Sequence, residues 1–178
     1  MRILLLASAA FLLAAPAFAQ DAAQDELVVP PVVMSTEHPD EEAVEQHPTS
    51  NANADAMRFE GTAMLEAFHG QEGISRIVEA FFARNLADPR IAGVFEGHDH
   101  VRTRRLLKEQ FGYILGAPID YTGRDMASSH ADLGIQAADM GALVENLQIA
   151  MSDEGVAFSA QNRFLAKLAP MRRDVVTR

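Results

Sequence analysis

The chain has 178 residues, of which 48% are hydrophobic and 22% are charged, a composition typical of a globular protein of one-domain size. It contains no cysteine, which excludes disulfides, thiolate metal sites, a cysteine nucleophile and thioether-linked cofactors. A formal net charge of −10 argues against nucleic acid as a partner, because phosphate binding needs a basic face.

The first nineteen residues have the order of a secretory signal. Arg2 gives a positive start, residues 3–15 are an uncharged apolar run, and Ala17-Phe18-Ala19 is a small-residue cleavage motif. The pattern predicts a mature chain that begins at Gln20 and is exported, to the periplasm or beyond; a buried N-terminal helix is the alternative. The run is too short to span a bilayer, and no later segment is uncharged and apolar for about 18 residues, so no membrane span is expected.

Residues 20–57 differ sharply in charge from the rest of the chain. They hold nine acidic residues and no Lys or Arg, whereas residues 58–178 hold 16 acids and 14 bases. The segment is also rich in Pro and Asn, and it cannot bury enough apolar surface to offset its ordering entropy. We therefore predict a disordered acidic linker over 20–57. His38 and His47 lie in it, either as solvated side chains or as a weak metal site.

The remaining residues, 60–178, predict a single all-α domain of four main helices. Apolar residues recur at helical spacing over 72–86 and 100–115, with Asp99 as a candidate N-cap for the second helix. Similar spacing predicts a third helix from Met140 to Met151 and a fourth from Phe158 to Val175, bent or interrupted at Pro170. Only a loop and a short helix fit between the second and third.

His130 lies in that short segment, in the stretch Met126-Ala-Ser-Ser-His130. One helical turn places Met126 and His130 on the same face. By itself, this pattern leaves two interpretations open: a hydrogen-bonded core histidine or a metal ligand. His98-Asp99-His100 is a second histidine pair, but at a helix start its rings diverge, which favours ordinary loop residues.

Residues 64–175 resemble the truncated haemoglobins, specifically the group I type. The stretches that carry the resemblance are Met64–Ile74, Phe81–Pro89, Val94–Gly97, Leu115–Pro118, Tyr121–Gly123, Met126–His130, Leu133–Ile135 and Leu168–Met171. Each is weak alone, but their order and spacing, with a lone histidine after Tyr-Thr-Gly, are specific.

The resemblance implies a two-over-two helical sandwich around non-covalently bound haem b, with His130 as the proximal iron ligand. The second ring nitrogen of His130 would donate to a backbone carbonyl, which fixes the tautomer. Phe95 matches the aromatic residue that packs on the porphyrin. The other candidate pocket residues are Phe82, Thr103, Leu106, Leu107, Phe111, Tyr121, Met126, Leu133, Leu143, Val144 and Leu147.

The chain departs from the family pattern on the distal side. Phe82 stands where the family commonly has Tyr, and Leu107 stands where it often has Gln, so both usual donors to bound O₂ are missing. Thr103 is the remaining nearby donor. The usual Gly-Gly before the first long helix reads His69-Gly70. We therefore expect a pocket that favours NO or CO over O₂, compared with typical relatives.

Several functions fit this resemblance. The first is an exported haem protein that binds O₂, NO or CO reversibly, and His98 or His100 could swing over the iron as an internal sixth ligand. The second is oxidation of NO to nitrate, which would need an external electron donor. A periplasmic electron-transfer or peroxidase-like haem protein and a haem-free helical interaction module are the others.

Overall fold

The computed structural model describes residues 34–35 and 38–177. The predicted export signal and the first part of the predicted linker lie outside the described residues. The helices are α1 (Ala63–Ala67), α2 (Gly70–Ala87), α3 (His100–Leu115), α4 (Met126–His130), α5 (Ala137–Asp153), α6 (Phe158–Leu168) and α7 (Arg172–Val175). Two-residue strands β1 (Met34–Ser35) and β2 (Val44–Glu45) pair antiparallel, and 3-10 turns cover 51–54, 92–95 and 169–171.

Helix α2 lies at the centre of the helical domain and packs against both α3 and α5. Its buried residues include Ile74, Ile77, Val78 and Phe81, the stripe that predicted this helix from the sequence. It is separated from α1 by a break at His69–Gly70, where both residues have positive φ. A positive φ favours glycine, so His69 adopts a conformation that is uncommon for a residue with a side chain.

Helix α3 covers the predicted residues 100–115, and its two ends have identifiable causes. The side chain of Asp99 accepts hydrogen bonds from the backbone N–H groups of Val101 and Arg102, each at 2.9 Å. Gly116 ends the helix with a φ of 103°, which a residue with a side chain rarely adopts.

The helices that follow include the predicted short segment and the predicted interruption. Asp125 caps α4 by accepting from the Ser128 N–H at 2.8 Å, and this helix lasts only five residues. Near the C-terminus, α6 ends at Leu168, and a 3-10 turn that contains Pro170 leads into α7. The prediction of an interruption at Pro170 is therefore confirmed.

Residues 38–57 differ from the predicted disordered linker, because in the structure they lie against the helical domain. The side chain of Glu41 is only 3% exposed and makes ion pairs with Arg102 and Arg105 of α3. Ala54 is fully buried. Composition indicates how much apolar surface a segment can bury, whereas residues 38–57 are held mainly by polar contacts with residues distant in the chain.

Within the described residues, no helix is both long enough and apolar enough to cross a membrane.

Candidate functional site

A mostly apolar cavity of about 300 Å³ lies between the helices. This volume falls within the range of roughly 300–1,000 Å³ that ligand pockets usually have. Helix α2, the turn at 92–95 and α3 supply one part of the lining, and the segment from Tyr121 to α5 together with the C-terminal residues supplies the rest. His130, on α4, lines this cavity and is half-buried.

The hydrogen bond of His130 decides which of its nitrogens is available. Nδ1 lies 2.7 Å from the backbone carbonyl oxygen of Met126, one helical turn earlier. A carbonyl oxygen only accepts, so Nδ1 carries the proton and donates to it. In the neutral ring, Nε2 then keeps its lone pair and is the nitrogen that can bind a metal ion.

Burial lowers the pKa of His130, and the hydrogen bond to the Met126 carbonyl offsets part of that effect. A lowered pKa keeps the imidazole neutral at pH 7, because removal from water penalises the charged form. The position of His130 therefore provides a neutral imidazole with a defined tautomer.

The polar side chains that α3 contributes to the cavity are already engaged. The hydroxyl of Thr103 donates to the carbonyl oxygen of Asp99 at 2.8 Å. The amide of Gln110 donates to the Ala54 carbonyl oxygen at 3.2 Å and lies 3.5 Å from the Met126 sulfur. Between these two residues, α3 presents only leucine side chains to the cavity.

Most of the residues predicted for the pocket line the cavity. They are Phe95, Thr103, Leu106, Leu107, Phe111, Tyr121, Met126, His130, Leu133, Leu143 and Leu147. Tyr121 belongs to the loop before α4, and its hydroxyl donates to the Arg124 carbonyl oxygen at 3.0 Å.

Two residues predicted for the pocket, Phe82 and Val144, do not line the cavity in the structure. Phe81 lines it instead of Phe82. The ring of Phe82 is fully buried and packs edge-to-face on Phe95, with the Arg104 guanidinium 4.2 Å from its centroid. Neighbouring helix residues point about 100° apart, so Phe81 faces the cavity when Phe82 does not, and Leu143 does so when Val144 does not.

Several residues that were not predicted for the pocket also line the cavity, namely Phe81, Val94, Gln110, Ser129, Ile135, Asp139, Met140, Leu168, Met171 and Val175. Helical spacing in the sequence indicates some of these residues. Gln110 lies three residues after Leu107, which places both on one face of α3. Its polarity hid it from a search for apolar positions.

The two histidines near the start of α3, His98 and His100, have different surroundings. His98 is exposed and lines the cavity, whereas His100 does not. The His100 Nε2 lies 2.9 Å from the Phe95 carbonyl oxygen, and its ring packs edge-to-face on Phe82. Of the two predicted candidates for a sixth ligand, only His98 therefore borders the cavity.

His47 is held by the protein instead of lying free in a linker. Its Nε2 is 3.1 Å from the Thr122 carbonyl oxygen. In the part of the chain that the structure describes, no group of three or more His, Asp or Glu side chains is arranged to hold a metal ion.

These features define a class of protein: an all-α domain in which the half-buried imidazole of His130, in the tautomer that can bind a metal, faces an apolar cavity. An apolar cavity with a nitrogen available to a metal suits an apolar cofactor that contains a metal.

Comparison with known proteins gives the family. A model of the family described as Bacterial-like globin matches residues 63–177. The Group 1 truncated hemoglobin GlbN of Mycolicibacterium paratuberculosis is 30% identical over 120 residues, which are 67% of this chain and 88% of that protein. The GlbN of Nostoc sp. is 28% identical over 66% of this chain and 99% of its own length.

Solved structures agree with this result. The crystal structure of the 2/2 hemoglobin from Synechococcus sp. PCC 7002, in the cyanomet state and with covalently attached heme, has a TM-score of 0.60 at 25% identity and covers 65% of this chain and 98% of that one. The truncated hemoglobin from Tetrahymena pyriformis in the Fe(III) form shares the fold, with a TM-score of 0.62 at 23% identity over 65% of this chain and 98% of that one.

The chain belongs to the bacterial-like globin family, and its relatives are group 1 truncated haemoglobins. The predicted two-over-two globin fold is confirmed. Haem b is the cofactor of this family, and the apolar cavity with the free Nε2 of His130 fits it.

Proposed function

We propose that this protein binds diatomic gases at a non-covalently held haem b whose iron is ligated by His130. Globins bind gases through haem. What we propose for this chain is the residue that ligates the iron, the residues that form the pocket and the preference among the gases. The observation that carries it is the Nδ1 hydrogen bond of His130 inside an apolar cavity, which leaves Nε2 as a metal ligand. The haem iron, when bound, supplies the coordination bond to the gas.

The chain's own residues would hold the cofactor by packing. Phe95 and the leucines of α3 offer apolar contact on one part of the cavity, and Leu133, Leu143 and Leu147 offer it on the other. Burial of the apolar surface of the haem against these side chains favours binding without a covalent link.

We further propose that α3 forms a distal wall without a free hydrogen-bond donor. Leu106 and Leu107 are apolar, and both the Thr103 hydroxyl and the Gln110 amide are engaged elsewhere. O₂ gains more negative charge on binding than CO or NO does, so it depends more on a donor. A hydrogen bond with a charged partner contributes roughly 1.5–3 kcal/mol. Its absence therefore weakens O₂ retention by roughly 10- to 100-fold, at about 1.4 kcal/mol per decade.

His98 supports a second arrangement of the same site. It lies at the cavity, it is exposed, and it belongs to the short non-helical stretch just before α3. Movement of this residue would supply a second imidazole to the iron, which would then compete with the gas.

The experiment is a set of absorption spectra of the mature protein in the ferric, ferrous and ferrous-CO forms, with His130→Ala and His98→Ala beside the wild type. We expect a haem spectrum with histidine ligation that His130→Ala abolishes. A six-coordinate ferrous spectrum that His98→Ala converts to five-coordinate would establish the second arrangement. An unchanged ferrous spectrum in His130→Ala would refute the assignment of the ligand.

We also propose that the protein works outside the cytoplasm, on the basis of the signal pattern in residues 1–19. Expression of the full chain in a Gram-negative host should release a periplasmic product that begins at Gln20. A product that keeps Met1 and stays in the cytoplasm would contradict this proposal.

A further inference from the structure

The segment upstream of the globin domain reaches the helix that carries His130. Residues 51–54 form a 3-10 turn, and Asp55 follows it with a positive φ of 54°. This conformation aims the Asp55 carboxylate at the start of α4. One of its oxygens accepts a hydrogen bond from the Met126 N–H at 2.6 Å.

Met126 makes contacts both with His130 and with groups that the upstream segment holds. Its backbone N–H is held by Asp55, and its carbonyl oxygen accepts the Nδ1–H of His130 at 2.7 Å. Its sulfur lies 3.5 Å from the Gln110 amide, which itself donates to the carbonyl oxygen of Ala54. Adjacent residues of the upstream segment therefore hold Met126 through both its backbone and its side chain.

Helix α4 needs such an anchor because it is short. Five residues form barely more than one turn, and so short a helix has little stability of its own. Asp125 caps it through Ser128, but that bond leaves the N–H of Met126 without a partner inside the helix. Asp55 supplies that partner.

We propose that Asp55, upstream of the globin domain, is a positioning residue for His130. It fixes the backbone of Met126, whose carbonyl oxygen sets the tautomer and the direction of the imidazole. The inference rests on the proposed function, since it concerns the bond between His130 and the haem iron. It assigns to the acidic upstream segment a role inside the site.

The test compares Asp55→Ala, Asp55→Asn and Asp40→Ala in the full mature chain loaded with haem. Asparagine keeps a carbonyl oxygen that accepts from Met126 and tolerates a positive φ. Asp40 is an exposed carboxylate of the same segment, so its removal changes the charge equally. The first measurement is the iron–histidine stretching band of the ferrous protein by resonance Raman. The second is amide hydrogen exchange over residues 126–130.

In Asp55→Ala we expect the iron–histidine band to shift or broaden, with α4 amides exchanging about fivefold faster, the size expected for loss of one hydrogen bond at a helix start. Asp55→Asn should restore both readouts, and Asp40→Ala should leave both at wild-type values. If the band stays unchanged in Asp55→Ala, Asp55 does not position His130, even if exchange accelerates. A wild-type protein without an iron–histidine band would refute the proposed ligand itself, and the inference would fail with it.

Discussion

Replacing Leu107 by Gln adds a hydrogen-bond donor to a wall that lacks a free one. Leu107 is half-buried on α3 and lines the cavity. The polar neighbours one turn away on either side are hydrogen-bonded to Asp99 and Ala54, so the added amide would be the first free donor on this wall. A donor to a ligand that carries negative charge contributes roughly 1.5–3 kcal/mol.

That free energy sets the expected change in rate. At about 1.4 kcal/mol per decade, O₂ dissociation from Leu107→Gln should be roughly 10- to 100-fold slower than from the wild type. CO carries less charge when bound, so its dissociation should change far less. The assay is stopped-flow displacement of O₂ and of CO from the ferrous protein.

Leu143→Gln provides the matched control, because it places the same amide on α5, in a part of the lining that α3 does not supply. It should leave O₂ dissociation close to the wild-type rate. If Leu107→Gln fails to slow O₂ dissociation, or slows O₂ and CO equally, then α3 does not form the donor-free distal wall and the proposed preference is wrong.

Two further predictions concern stability. Hydrogen bonds from Arg105 lower the pKa of Glu41, so its contribution is present above about pH 4.5 and lost as the pH falls below that value. Glu41→Gln should therefore lower the free energy of unfolding at pH 7 by roughly 1.5–3 kcal/mol and lower it less in acid. Urea unfolding midpoints measured at pH 7 and in acid check this, and a loss that does not change with pH would contradict it. In the buried pair between α2 and α5, Asn146 donates to Asn85 at 2.9 Å, while the Asn85 amide nitrogen has no partner among the described residues. Asn146→Ala leaves the buried Asn85 side chain without this hydrogen bond, so it should lower the free energy of unfolding by about 1 kcal/mol or more beyond the loss in Asn85→Ala. Urea unfolding of the two variants checks this, and equal losses would contradict it.

The helices that surround the site were largely predictable from the sequence. The buried stripe of α2 follows a 3.6-residue period, and local signals such as Asp99 and Gly116 mark the limits of α3. These features depend on residues a few positions apart, so the sequence alone contains them. His130 was identifiable as the candidate ligand only through the resemblance, since its local pattern also fitted a core histidine.

Residues 38–57 show contacts that local patterns do not reveal. Their composition predicted disorder, yet Glu41 is clamped by Arg102 and Arg105, some sixty residues further along the chain. No local pattern indicates such pairing, because the partners meet only after α3 has packed. The contact between Asp55 and Met126, 71 positions apart, was hidden for the same reason.

The order of the residues was thus enough to specify the helices and their ends, since each follows from periodicity or from neighbours in the chain. The tertiary structure decided that Phe81 and not Phe82 lines the cavity and that Nε2 is the free nitrogen of His130. It also decided that Glu41 and Asp55 of the acidic segment contact α3 and α4. Those outcomes depend on the rotation of each helix and on which distant groups become neighbours, and only the folded chain brings those groups together.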